Sequence, residues 1–463
     1  MSMTSGALRR TTAGLATAAA AVALGLTGTV APAATAAPAR SGHTMTPAVG
    51  ARPHYVAAGD PRPGASVQFG CQAVRPGRLT CFGPDQIRAA YSIQPLLDRG
   101  ITGKGRTIVI VDAFSPPAVA ADLATFDAAW GIPDPDLTIV APQGATPWDG
   151  NDANQVGWAG ETNLDVQWAH VVAPGARIVL VQATTNDDAD ILAATQWAVN
   201  NRVGDVISQS FGEDERCVLP SIARAEHEMF EKATERGITL IASAGDQGSA
   251  QPTCDGSSYS LAASSPAADP LVTAIGGTSL DADLTTGSYR SETVWNETDL
   301  FGAAGGGGYS VLERKPSYQR GVVAGRHRAL PDVSYDGGIN NGVLTYFGDD
   351  AAGGGPGSGG FYIVGGTSAG SPQWAGLTAL AAQIAHRRLG LINPTLYALG
   401  RSRLASLVFH DVTMGNNGYA FDNRSGTHVT IPGYPATRGW DPATGWGTPI
   451  ASFLVPVLAA ASR

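Results

Sequence analysis

Between residues 106 and 275 the chain alternates short runs rich in β-branched residues with longer segments of helical spacing, and few folds accommodate that alternation. The runs 106–113, 137–140, 177–181, 206–210, 238–242 and 271–275 read as strands; Thr107-Ile108-Val109-Ile110-Val111 is the clearest. Nearly continuous apolar character marks strands covered on both faces. Between them, 120–130, 161–171, 189–200 and 221–236 carry helical spacing. Strands joined through helices predict an α/β fold: a mostly parallel central sheet flanked by helices on both faces. In such folds reacting groups gather beyond the carboxyl ends of the strands.

The flanks of this core are read by composition. Residues 1–37 have the layout of a secretory signal: Arg9-Arg10, a small apolar stretch over 13–30, then Ala34-Thr35-Ala36 as a cleavage site. No later stretch reaches membrane-spanning length, so the expected product is secreted, extracellular and without a membrane partner. The four cysteines suit an oxidising compartment. Their spacing suggests the local pairs Cys71 with Cys81 and Cys217 with Cys254, although sequence leaves three connectivities open. Residues 38–82, rich in Ala, Pro, Gly and Arg, read as a short, poorly structured leader or pro-segment, and 83–463 as the folded domain. A net charge of -9 gives no sign of a nucleic-acid partner. Two glycine-rich stretches, 302–308 and 351–360, interrupt the later chain.

Strand-like Phe361-Tyr362-Ile363-Val364 leads into Gly365-Gly366-Thr367-Ser368-Ala369-Gly370-Ser371-Pro372, and helical spacing follows. Ser368 thus stands at a helix N-terminus, where free N–H groups and the dipole favour a nucleophile. Pro372 is expected in the first turn, where proline is tolerated. A plain serine N-cap is the competing reading.

A serine nucleophile needs a base. None of the eight histidines sits in a persuasive motif; Gly426-Thr427-His428-Val429 lies in a polar loop after the serine. The better candidate is the pair Glu161 and Asp165, four apart and so on one helix face. If buried together they share a proton, with Glu161 taking the Ser368 proton and Asp165 supporting it. The competing reading is an acidic first turn complementing the helix dipole. A third element, Ser243-Ala244-Gly245-Asp246, opens from a strand end into a glycine loop. A protonated Asp246 there can donate a hydrogen bond to an oxyanion; otherwise it merely turns the loop.

These pieces, in this order, resemble the sedolisin family of serine-carboxyl peptidases. The likeness runs from about Gly83 to the C-terminus and includes Ala169-His170, Ala173-Pro174, Val272-Thr273-Ala274-Ile275-Gly276-Gly277-Thr278, Thr293-Val294-Trp295-Asn296 and Pro331-Asp332-Val333. The resemblance implies a subtilisin-like fold and hydrolysis of peptide bonds in acidic medium. It implies Ser368 as nucleophile, Glu161 as general base, Asp165 as its partner and Asp246 as oxyanion donor, with the Ser368 amide as a second donor. Protein or peptide substrates and a monomer as the default state go with it.

The resemblance also implies one structural Ca²⁺. Its ligands would be the carboxylates of Asp411 and Asp441 and the backbone carbonyls of Val412, Thr437 and Gly439, a hard-oxygen set suited to that ion. Thr437 stands where the family usually has glycine. The long folded propeptide usual in the family has no counterpart in the 38–82 stretch. Two other functions remain: a catalytically silent peptide-binding homologue, and a serine esterase drawing on His410.

Overall fold

The computed structural model describes residues 49–50, 53–59, 69–73, 77–423 and 425–461. The secretory-signal stretch 1–37 lies outside the described residues.

The central sheet has eight strands. From one edge the order is Tyr289–Val294, Thr273–Ala282, Thr239–Ser243, Val206–Gln209, Thr107–Ala113, Arg177–Ala183 and Asp136–Val140, and Val333–Asp336 pairs farther along Thr273–Ala282. Every neighbouring pair is parallel except the antiparallel edge strand Tyr289–Val294. The winding direction reverses at Thr107–Ala113, with Arg177–Ala183 on one side and Val206–Gln209 on the other. A crevice opens at the carboxyl end of such a switch point.

Alternate residues of each buried strand feed two cores. Ile108, Ile110, Ile178 and Leu180 pack with Leu164, Trp168, Trp374 and Leu377 of the helices Ala153–Val172 and Thr367–Ala385. Val109, Val111, Val179 and Val181 face the other way, towards Ile191, Ala194, Met229 and Phe230 of Asp188–Asn200 and Pro220–Glu235. The expected layering is therefore present. The expected strand at 271–275 runs on through two glycines to Ala282, where it turns into the edge hairpin.

A second, four-stranded sheet carries the lead into Ser368. Its order is His54–Ala57, Gly360–Gly365, Gly342–Phe347, Cys81–Phe82. The described parts of 38–82 thus correct the expectation of a poorly structured leader: His54–Ala57 pairs antiparallel with Gly365 to Tyr362, and Cys81–Phe82 pairs parallel with Gly342–Val343. Composition missed this because the partners lie far along the chain. The disulfides are Cys71–Cys81 and Cys217–Cys254, the two local pairs.

Candidate active site

The structure brings the sequence-derived groups together at the carboxyl edge of the sheet. Glu161 and Asp165 lie one turn apart on Ala153–Val172, both fully buried. This helix starts eight residues earlier than its apolar spacing suggested. Asp152 caps it, accepting from the Asn154 N–H at 2.9 Å. The two carboxyls are therefore mid-helix, and the first turn holds no acid. The reading of them as dipole-complementing residues is removed.

Ser368 is the second residue of Thr367–Ala385 and 6 % exposed. Gly366 forms the N-cap position with φ +134°, and a Cβ there would stand 2.8 Å from Asp246 Oδ2. Glycine is required on both counts. Pro372 falls in the second turn rather than the first, at the position whose missing N–H would have bonded the Ser368 carbonyl. That carbonyl is left for the Ser210 hydroxyl, which donates to it at 3.5 Å. Ser368 Oγ donates to the Ser210 carbonyl at 3.3 Å.

The acids have no cationic partner among the described residues, and neither oxygen of Glu161 or Asp165 holds a well-formed hydrogen bond. Burial holds Glu161 well above the usual carboxyl range, and the charge of Asp112 pushes it further; the Ser368 hydroxyl acts in the opposite sense. Asp165 is held high by burial, then by Asp112 and Glu161, with the Ser210 hydroxyl opposing.

Asp112 escaped sequence reasoning. It is the penultimate residue of Thr107–Ala113, fully buried, with both oxygens unpartnered. Burial raises it to about 7, tempered by the Thr162 hydroxyl. The signal was available: an acid ending an otherwise apolar buried strand, at the place where a doubly wound sheet keeps its ligand crevice. Ser210, which follows Val206–Gln209, was likewise missed.

Asp246 follows Thr239–Ser243 and accepts at Oδ1 from the Thr367 N–H and hydroxyl, both at 2.8 Å. Oδ2 is the oxygen left on the Gly366 side. Burial raises Asp246, opposed by the charge of His54 and by the Thr367 donors. The glycine run 302–308 clamps this loop: the Ala304 N–H donates to the Asp246 carbonyl at 2.9 Å and the Gly306 N–H to the Gly245 carbonyl at 2.7 Å. A Cβ on Gly306 would meet the Ala244 carbonyl at 2.1 Å, so the run is a packed support.

Among the described residues, no histidine is one of the groups that shift Glu161 or Asp165. His410 stacks on Tyr289 with centroids 3.6 Å apart, and burial lowers it to about 4. His428 pairs with Asp422 on an exposed hairpin.

Asp411 and Asp441 converge on one loop. Asp411 accepts from the Gly439 N–H at 3.0 Å; Asp441 accepts from the N–H groups of Thr437, Ala443 and Thr444, each at 2.9 Å. Burial raises Asp441 to about 6 and also raises Asp411. An exposed carboxylate, Asp411, beside a buried one, Asp441, without a strong cationic partner fits a hard cation there. Among the described residues no three His, Cys, Asp or Glu side chains gather as a metal cluster. A cation on this loop would therefore depend on backbone carbonyls such as those of Val412, Thr437 and Gly439.

Comparison with known proteins gives the family. A family model described as the subtilase family matches residues 154–400, more than half of the chain. Kumamolisin of Bacillus sp. (strain MN-32) is 34 % identical over 389 residues, 82 % of this chain and 64 % of that protein. Sedolisin of Pseudomonas sp. (strain 101) is 35 % identical over 363 residues, 75 % of this chain and 57 % of that protein. The chain thus spans less than two thirds of the length of these curated relatives. A solved structure of Pseudomonas sedolisin, a serine-carboxyl proteinase complexed with two molecules of pseudo-iodotyrostatin, superposes with a TM-score of 0.69 at 30 % identity. It covers 84 % of this chain and 100 % of that one.

Proposed function

The chain belongs to the subtilase family, in its sedolisin branch, and we propose that it is a secreted serine-carboxyl peptidase that hydrolyses proteins or peptides at acidic pH. The observation that carries the reading is the buried carboxyl cluster beside a helix-terminal serine. Ser368 is the nucleophile and Glu161 its general base. The Ser368 hydroxyl, which also donates to the Ser210 carbonyl, already acts on the Glu161 carboxyl. Glu161 accepts the proton as Oγ attacks the peptide carbonyl, then returns it to the leaving amine. Asp165 and Asp112 keep a proton in the cluster, so Glu161 can hold a negative charge without three adjacent anions.

Asp246 is the oxyanion donor. It must be protonated to donate, and its raised pKa extends that state above the ordinary carboxyl range. Thr367 holds Oδ1, which leaves Oδ2 for the oxyanion; the Ser368 amide is the second donor. Activity therefore belongs on the acid side and is lost as pH rises through the Asp246 pKa.

One structural Ca²⁺ held by Asp411, Asp441 and the carbonyls of Val412, Thr437 and Gly439 would tie the C-terminal loops together. With this reading goes a domain assignment of 1–37 as signal, 38–82 as leader or pro-segment and 83–463 as peptidase domain. No helix among the described residues is long and apolar enough to cross a membrane.

The test is hydrolysis of a denatured protein at about pH 4. Ser368→Ala, Glu161→Gln and Asp165→Asn should each lower kcat by about 10³-fold or more. Undiminished hydrolysis by Glu161→Gln would remove the assignment of the base.

A further inference from the structure

Behind the turn that presents Ser368, glycine-bearing segments meet backbone to backbone. Thr273–Ala282 and Val333–Asp336 run parallel, with Gly277 beside Tyr335 and Thr278 beside Asp336. Past that point the Gly337 and Gly338 N–H groups both donate to the Thr278 carbonyl, at 2.8 and 3.1 Å, and the Gly337 carbonyl accepts from the Gly366 N–H at 2.8 Å. Gly366 is the N-cap position of the Ser368 helix. The contact leaves no room for side chains: a Cβ on Gly337 would stand 3.1 Å from the Gly366 carbonyl oxygen, and one on Gly365 2.8 Å from that of Gly337. Such backbone, with no side chain to pack, moves unless hydrogen bonds fix it.

Asp336 stands where that fixing is needed. Its Oδ1 accepts from the Leu280 N–H at 3.1 Å and from the Gly338 N–H at 3.4 Å, so one carboxyl ties the turn at 336–338 to the neighbouring strand beyond Thr278. Its own N–H donates to the Tyr91 hydroxyl at 3.0 Å, and that hydroxyl donates to Glu292 Oε1 at 2.7 Å. Glu292 also accepts from the hydroxyls of Thr278, at 2.8 Å, and Thr448. Both acids are buried, and Asp336 Oδ2 and the Tyr335 hydroxyl have no hydrogen-bond partner. No cationic group is among those that shift either acid.

We propose that Asp336 is a positioning residue for Ser368: its carboxyl fixes the turn at 336–338, whose Gly337 carbonyl holds Gly366 and with it the backbone from which the nucleophile is presented. The inference rests on the peptidase reading of Ser368, but the hold on Gly366 can be measured without catalysis. Two buried acids without a cation do not both ionise. Glu292, with its hydroxyl donors, suits the charge, and Asp336 keeps the proton. Burial holds Asp336 well above the usual carboxyl range; the Leu280 N–H opposes this, and the charges of Glu292 and Glu297 add to it. Burial raises Glu292 too, against the hydroxyls of Thr448, Tyr91, Thr278 and Tyr289. Glu297, Tyr91, Tyr289 and Tyr335 are the other titratable groups around the pair. As pH rises through the Asp336 pKa, a second buried anion forms beside Glu292 and the turn loosens.

The test reads hydrogen exchange at the Gly366 amide by mass spectrometry, in the full chain carrying Ser368→Ala so that it stays uncut. At about pH 4, Asp336→Ala should speed that exchange at least about ten-fold, with the change confined to 336–338 and 365–367. Asp336→Asn keeps the acceptor oxygen and should leave it within about three-fold. Between about pH 4 and about pH 7, after allowance for the intrinsic rate, the Asp336 chain should lose protection at Gly366 and the Asp336→Asn chain should keep it. Should Asp336→Ala not fold, this second comparison decides alone. Equal protection in every chain at both pH values, or equal loss, overturns the proposal. In the Ser368-containing chain, Asp336→Ala should lower kcat at least about ten-fold with KM within about two-fold, and Asp336→Asn should restore kcat. If exchange behaves as expected but no hydrolysis occurs at any pH, the hold on Gly366 stands and the peptidase reading fails. If hydrolysis proceeds and kcat is indifferent to Asp336→Ala, the proposal fails and the peptidase reading stands.

Discussion

Three buried carboxyls, Asp112, Glu161 and Asp165, share one low-dielectric neighbourhood with no cation among the described residues to neutralise them. Each is pushed upward by burial, so the folded chain binds protons that the unfolded chain releases. For Asp112 the folded value of about 7 stands above an ordinary 3.8. Stability is then fullest below about pH 4 and is lost as pH rises towards about 7, by an upper figure of roughly 4 kcal/mol for this group. Asp112→Asn should flatten that loss: its Tm relative to the unsubstituted chain should climb between about pH 4 and pH 7 in thermal unfolding. A Tm difference that does not change with pH would deny Asp112 this role. Gly366 is the second residue-scale test. Gly366→Ala places a Cβ 2.8 Å from Asp246 Oδ2 at φ +134°. It should cost about 1–3 kcal/mol in denaturant unfolding and lower kcat more than it raises KM.

The helix Ala153–Val172 shows why some elements are plain in a sequence and others are not. The buried strands were legible because Thr107 to Ala113 and Arg177 to Ala183 are almost unbroken apolar runs. The start of this helix was not, because from Trp158 onwards it is buried all round. A helix with no solvent face has no stripe to read. The acid pair on it was found from spacing, yet its placement mid-helix, which decides between base and dipole partner, needed the cap at Asp152. Asp152→Ala should cost about 1 kcal/mol of stability with kcat unchanged, since the cap lies two turns from Glu161. A fall in kcat with stability intact would mean that Asp152 acts on the site itself. Asp112 and the strand His54–Ala57 were hidden for another reason. One takes its meaning from a neighbouring helix and the other from a strand far along the chain, and neither relation is local.

Across the whole molecule, groups from four strand ends and two helices meet in one crevice, so the scaffold that spaces them must be held at its periphery as well as its core. The C-terminal loops bearing Asp411 and Asp441 are where a cation would do this. Chelation with EDTA should lower the Tm of the intact chain by several degrees and leave Asp441→Asn unmoved. A Tm indifferent to both calcium and chelator would remove the ion from the account. The central claim is that carboxyl groups do the work usually given to histidine. Its most direct test is the profile of kcat/KM from about pH 2.5 to about pH 8, for the unsubstituted chain and for Glu161→Gln. The account predicts a maximum on the acid side, a fall as pH rises through the raised pKa of Asp246, and loss of the whole profile in Glu161→Gln. A profile that instead climbs to a neutral plateau, and survives Glu161→Gln, would contradict it.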